Sequence, residues 1–209
     1  MVEEIFLLVY IILSAVHIIG EVYEKITIRY ITKPMLMPIL LLFYVTATTT
    51  IWFGIISALI CGCIGDILLM FKKEELFTFG LLSFLIGHIA YTATFVSGAT
   101  ITIVGGIAII PYILTIAILY KFLSPGLEKM KGPVVVYMIV IMTMSYTSLL
   151  RALNLMEMMA FIVVIGTILF IVSDGIIAVN KFKREIPHAQ VLIMITYLCG
   201  QFLIVYGMI

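Results

Sequence analysis

The stretch "CGCIGDILLMFKKEE", residues 61–75, joins an apolar run to a basic loop and sets one carboxylate, Asp66, well inside the run. An apolar segment that stops at paired lysines reads as a membrane-spanning helix ending at a polar surface. A carboxylate within such a helix costs roughly 2.5–3.5 kcal/mol at its centre and less toward the interface, so it needs a reason to be there. The fold follows from whether the rest of the chain repeats this pattern.

It does. Of 209 residues, 64% are hydrophobic and 11% charged, and the mean hydropathy of +1.30 lies outside the soluble range. Apolar runs near 4–22, 34–48, 51–71, 76–97, 100–122, 132–150, 156–180 and 188–208 approach the ~20 residues that cross a bilayer. The expected fold is all-α: a polytopic membrane protein forming one bundle, residues 1–209, of eight transmembrane helices. The second run is short and the break at "TATTT" is soft, so seven spans is the alternative.

Charge supplies the orientation. Lys25, Arg29, Lys33, Lys72, Lys73, Lys121, Lys129, Lys131, Lys181, Lys183 and Arg184 fall in loops of one parity, and Arg151 alone in the other. The positive-inside rule then puts both termini on the extracytoplasmic side, which eight spans satisfy and seven do not. "MVEEIFLLVY" lacks the basic segment of a signal peptide and reads as a retained first helix of a multi-pass protein of the cell membrane. A net charge of +1 leaves no basic surface for nucleic acid. "IGDILLMFKKEE" and "VSDGIIAVNKFKRE" echo each other faintly, as two four-helix halves would.

Nine of the eleven acids, Glu3, Glu4, Glu21, Glu24, Glu74, Glu75, Glu128, Glu157 and Glu185, read as helix ends or loops with water at hand. Asp66 and Asp174 do not. A rise of 1.5 Å per residue sets them ~9 Å and ~10 Å below Lys72 and Lys181, a matched depth that suggests a shared site. Gly54, Ala58, Gly62 and Asp66 recur every four residues, a small-residue stripe that turns the acid toward protein. On the seventh span Gly166, Thr167, Asp174 and Ala178 form a looser face.

Lys33 and Pro34 read as the start of the second helix, where a proline suits the first position and a lysine beside a helix amino terminus attracts an anion. A lysine reaching back to the interface is the plain alternative. Tyr91, Tyr112, Tyr137 and Tyr146 can donate phenolic hydrogen bonds, and the Met-rich "MIVIMTMSYTS" reads as adaptable packing. His17, His88 and His188 stand too far apart for a metal centre, and Cys61, Cys63 and Cys199 make neither a disulfide framework nor a zinc site. No metal and no cofactor is expected.

The "TKPMLMP" segment, "GDILLM" at Asp66, "FTFGLLSFLIGHIAYTATF" with Phe79, Gly80, His88 and Tyr91, and "LFIVSDGIIAVNKF" with Ser173, Asp174 and Phe182 resemble the YhhN-like lysoplasmalogenases, eight-span membrane proteins. Gly65 stands where a serine precedes the first acid in that family, which leaves the acid itself undisturbed. The resemblance implies hydrolysis of the alkenyl ether of a lysophospholipid, giving a fatty aldehyde and glycerophospho-ethanolamine or -choline. It implies Asp66 and Asp174 as catalytic residues, with Lys33, His88, Tyr91, Tyr137 and Ser173 as expected substrate contacts and membrane lipids as surroundings.

The chemistry agrees with a carboxyl pair. Cleaving a vinyl ether requires protonation at carbon, and a buried carboxyl dyad shares a proton so that one member stays neutral while the other ionises. The ionised member stabilises the oxocarbenium ion, a division of labour also found in glycoside hydrolysis. Two other readings stand beside this one. A proton-coupled transporter is favoured by the internal echo and a kink expected at Pro111, and disfavoured by the few polar residues in the outer half. A non-catalytic lipid-binding protein is the third.

Overall fold

The computed structural model describes residues 2–71 and 73–209. Among the described residues, eight α-helices follow one another: α1 (Val2–Val22), α2 (Ile26–Ala47), α3 (Phe53–Leu69), α4 (Glu74–Val96), α5 (Ile103–Leu123), α6 (Lys131–Leu155), α7 (Met158–Phe182) and α8 (Ala189–Tyr206). Two 3-10 turns, Ser124–Gly126 and Glu128–Met130, lead from α5 to α6, and there is no strand among the described residues. Seven helices are long and apolar enough to cross a membrane, while α3 has 17 residues, or ~26 Å of rise against a hydrocarbon core of about 30 Å. Lys72, the basic residue used above to gauge the depth of Asp66, lies outside the described residues.

The second helix corrects the sequence reading. It begins at Ile26 rather than at residue 34, so Arg29 and Lys33 are helical residues and Pro34 lies in the interior with Pro38. The short helix is α3, not α2. Hydropathy mistook the two cations for a loop because it scores each charge alone, whereas both are met by acids of neighbouring helices. An anion site at a helix amino terminus beside Lys33 is therefore ruled out.

The helices divide into two compact units, one comprising Met1–Thr94 with Met208–Ile209 and the other Phe95–Gly207. In the first unit, α1 and α2 are joined by a tight turn. Glu24 takes a left-handed conformation (φ 51°), while Lys25 N–H bonds to the Gly20 carbonyl at 2.8 Å and Glu24 N–H to the Glu21 carbonyl at 3.3 Å. These are the two bonds of a Schellman motif, which close a helix without leaving its last carbonyls unmet. Gly20 permits the return: a Cβ there would stand 2.7 Å from Ile28 Cγ2.

In α2 the prolines remove two intrahelical donors. Pro38 has no N–H for the Pro34 carbonyl, and the Cys63 thiol of α3 donates to that oxygen instead, Sγ to O 3.5 Å. Leu36, Leu40 and Phe43 of α2 and Ile55 and Leu59 of α3 are buried. Along α3 the small-residue stripe lets α4 approach, and a Cβ at Gly54 would lie 2.5 Å from the Ala90 carbonyl oxygen.

In the second unit, α7 and α8 meet backbone to backbone. A Cβ at Gly166 would fall 2.8 Å from both the Gly200 oxygen and the Ile204 nitrogen, and Phe170 packs edge-on against Tyr197 with centroids 5.3 Å apart. In lipid, where hydrocarbon surrounds the helices anyway, such close packing and interhelical hydrogen bonds hold helices together. Between α6 and α7 the bonds are hydroxylic: Thr167 Oγ1 lies 2.9 Å from Ser145 Oγ and 3.2 Å from Ser148 Oγ. Helix α5 runs on through Pro111 and buries only Gly105 and Leu123. Tyr146 ties it to α6 by donating to the Gly105 carbonyl at 3.0 Å.

These contacts separate two glycines of one composition class. Gly166→Ala sets a methyl against backbone atoms that cannot rotate away and is expected to lower stability by ~1–3 kcal/mol, read as a lower thermal unfolding midpoint in detergent. Gly106→Ala meets nothing within 4 Å and is expected to leave the midpoint unchanged.

Candidate functional site

Asp66 sits in the last turns of α3, at the end of the Gly54, Ala58, Gly62 stripe, and is 3% exposed. The four-residue spacing that carries small residues against neighbouring helices carries the carboxyl to the same side. Its partner is Lys33 of α2, Nζ 3.7 Å from Oδ1, with the two side chains 11% and 4% exposed. At that distance the contact is an ion pair rather than a hydrogen bond. Lys33 is thus turned toward the acid of α3 and is largely buried.

Two further expected residues lie on α4 in the same unit. His88 and Tyr91 are one turn apart and each 1% exposed. Tyr91 stands within electrostatic reach of Tyr10 of α1 and Tyr44 of α2. Tyr44 closes the α2–α3 connection, its hydroxyl accepting from Trp52 N–H at 2.8 Å.

In the second unit Asp174 lies on α7, partly buried, and Tyr137 of α6 donates its phenolic hydrogen to Oδ2 at 2.5 Å. Ser173, one residue away and therefore on a different side of the helix, is 1% exposed and donates to the Ile193 carbonyl of α8 at 3.1 Å. Lys33 thus faces Asp66, and the Tyr137 hydroxyl faces Asp174.

The structure adds a polar cluster that sequence reading missed. Glu21, placed above among helix-end acids with water at hand, is 5% exposed, and His17 and Thr32 are 0% and 5% exposed. Arg29 Nε donates to Glu21 Oε1 at 2.8 Å, His17 Nε2 stands 3.5 Å from the same oxygen, and His17 Nδ1 lies 2.7 Å from Thr32 Oγ1. The tight turn is the physical reason: α2 folds back so closely that the last turn of α1 is covered. A signal was present, since Glu21 and His17 stand one turn apart and Arg29 and Lys33 repeat that interval on the returning helix.

The YhhN family matches residues 28–208. Among curated proteins the chain is similar to lysoplasmalogenase TMEM86A of Bos taurus, 30% identical over an alignment of 164 residues, with 72% of this chain and 62% of that protein covered. It is also similar to lysoplasmalogenase TMEM86B of Homo sapiens, 29% identical over 154 residues, 71% of this chain and 60% of that one. A third is lysoplasmalogenase TMEM86B of Rattus norvegicus, 29% identical over 173 residues, with shares of 82% and 68%. The chain thus spans about three fifths of the length of the first two relatives. No solved structure matches it at a significant level.

The Lys33–Asp66 pair has a stability signature of its own. Lys33→Met removes the cation paired with the buried Asp66 carboxylate and is expected to cost ~3–5 kcal/mol, while adding Asp66→Asn removes that negative charge too and recovers most of the loss. Unfolding of the two variants in detergent checks this ordering.

Proposed function

Because the chain belongs to the YhhN family, we propose that it is a membrane hydrolase of the lysoplasmalogenase type, cleaving the alkenyl ether of a single-chain phospholipid to a fatty aldehyde and the glycerophospho-alcohol. The observation that carries the reading is the pair of acids within the membrane-spanning helices, Asp66 beside Lys33 and Asp174 beside Tyr137. Lys33, an ammonium, pairs with an anion, so Asp66 acts as the carboxylate. In this reading Asp174 gives the proton, and Tyr137, which donates to its Oδ2, holds the carboxyl in place.

The steps then balance. The Asp174 carboxyl gives its proton to the outer alkene carbon of the O–CH=CH unit, and the electron pair of the double bond forms the new C–H bond. The ether oxygen shares its lone pair with the carbon left positive, giving an oxocarbenium ion that the Asp66 carboxylate stabilises. Water adds at that carbon and yields a proton to a carboxylate. The hemiacetal collapses by breaking the bond between that carbon and the glycerol oxygen, which takes a proton as the aldehyde leaves, and Asp174 recovers its own. The resemblance to relatives named lysoplasmalogenase supports hydrolysis over a proton-coupled carrier.

Tyr137 and Lys33 serve the reaction through the carboxyls they hold, and His88, Tyr91 and Ser173 are the further substrate contacts in this reading. The topology that goes with it has eight spans and both termini extracytoplasmic, in a multi-pass protein of the plasma membrane. The loop charges support that arrangement.

Replacing either acid separates the roles. Asp66→Asn and Asp174→Asn are each expected to lower aldehyde release from lysoplasmalogen by ~100-fold or more, assayed on purified protein whose unfolding midpoint matches the parent. Turnover kept in a folded variant removes that residue from the mechanism.

A further inference from the structure

Helix α1 turns one polar face inward. Tyr10, Ser14, His17 and Glu21 succeed one another at intervals of four, three and four residues, the repeat of a single helical face. Among the described residues, the buried side-chain polar atoms without a hydrogen-bond partner are three: Ser14 Oγ, His17 Nε2 and Glu21 Oε2. All three belong to this face.

The hydrogens can be assigned. Thr32 Oγ1 lies 2.7 Å from the Ile28 carbonyl and 2.7 Å from His17 Nδ1. A carbonyl only accepts and a hydroxyl has one hydrogen, so Thr32 donates to Ile28 and accepts from His17. Nδ1 therefore carries a hydrogen. Nε2 of the neutral ring is then a lone pair, facing Glu21 Oε1 at 3.5 Å, an oxygen that already receives Arg29 Nε at 2.8 Å. Glu21, matched to a guanidinium, accepts at both oxygens.

Two acceptors and one hydroxyl on a single face call for a small donor of two hydrogens. The groups facing His17 are Glu21 on its own helix and Arg29 and Lys33 on α2, with Lys33 paired to Asp66 of α3. Two acids already balance two cations, so a charge on the ring would stand in excess. We propose that this face of α1 is a water-binding site within the membrane-spanning part of the protein, the water donating to His17 Nε2 and Glu21 Oε2 and accepting from Ser14. Buried waters take such positions, meeting about three otherwise unmet polar groups. In the hydrolytic reading above, on which this clause rests, the site keeps the co-substrate water in the same unit as Asp66.

Magic-angle-spinning NMR of histidine-labelled protein in deuterated lipid, with no substrate present, tests the site directly. His17→Gln identifies the His17 resonances by their loss. At neutral pH the expected ring is neutral, protonated at Nδ1 and bare at Nε2, with magnetisation transfer from water. Glu21→Gln supplies an amide donor to Nε2 in place of water, and Ser14→Leu fills the space, so in either variant the transfer is expected to be lost while the ring stays neutral. A ring protonated at Nε2 in the parent protein overturns the proposal, as does a neutral ring without transfer from water. Transfer from water in a protein that releases no aldehyde from lysoplasmalogen leaves the site standing and removes the hydrolase.

Discussion

A charge placed in hydrocarbon has to be answered from within the protein, and here Lys33 answers Asp66 across the α2–α3 contact. The geometry of the first unit follows from that need. Lys33 lies on the helix that returns from α1, and only if α2 begins soon after α1 ends can Lys33 stand level with the last turns of α3. The closing turn at Glu24 and the missing side chain at Gly20 provide that early start. The return then buries Arg29 partway, and Arg29 in turn needs Glu21. One ion pair thereby entails a second, so the charges of the unit are placed as a set.

The second unit solves the same problem with little charge. Ser145, Ser148 and Thr167 bond one another and the helix backbone between α6 and α7, and Tyr137 provides the hydroxyl that meets Asp174. Hydroxyls cost less to bury than ions, and a helix can satisfy them from its own carbonyls, as Thr167 does with Val164. Asp174 is the exception that needs a dedicated donor. The two acids therefore share a side chain and a depth predicted from sequence, and Lys33 faces one while the Tyr137 hydroxyl faces the other.

How much of this was legible in the sequence depended on whether a residue could be read by itself. Apolar length located seven of the eight helices well, and the four-residue interval from Gly54 to Asp66 foretold a buried acid, because both signals are additive along one helix. Arg29, Lys33 and Glu21 were misplaced for the opposite reason: their cost is cancelled pairwise, and a hydropathy sum has no term for a partner eight or more residues away. Tyr137 was one of eleven tyrosines, and only packing singles it out. The bond from the Ser173 hydroxyl to the Ile193 carbonyl of α8 likewise joins two helices, and no single helix reveals it.

The paired prolines of α2 leave a mechanical legacy. A helix owes its stiffness to the ladder of bonds between successive turns, and Pro34 and Pro38 each delete a rung, so two rungs are gone on either side of one turn. The thiol of Cys63 restrains a freed oxygen from the side, through a far weaker tether than the rung it replaces. Compliance in α2 is thus concentrated at the turn that begins one residue beyond Lys33, and the ammonium rides on the most yielding point of its helix.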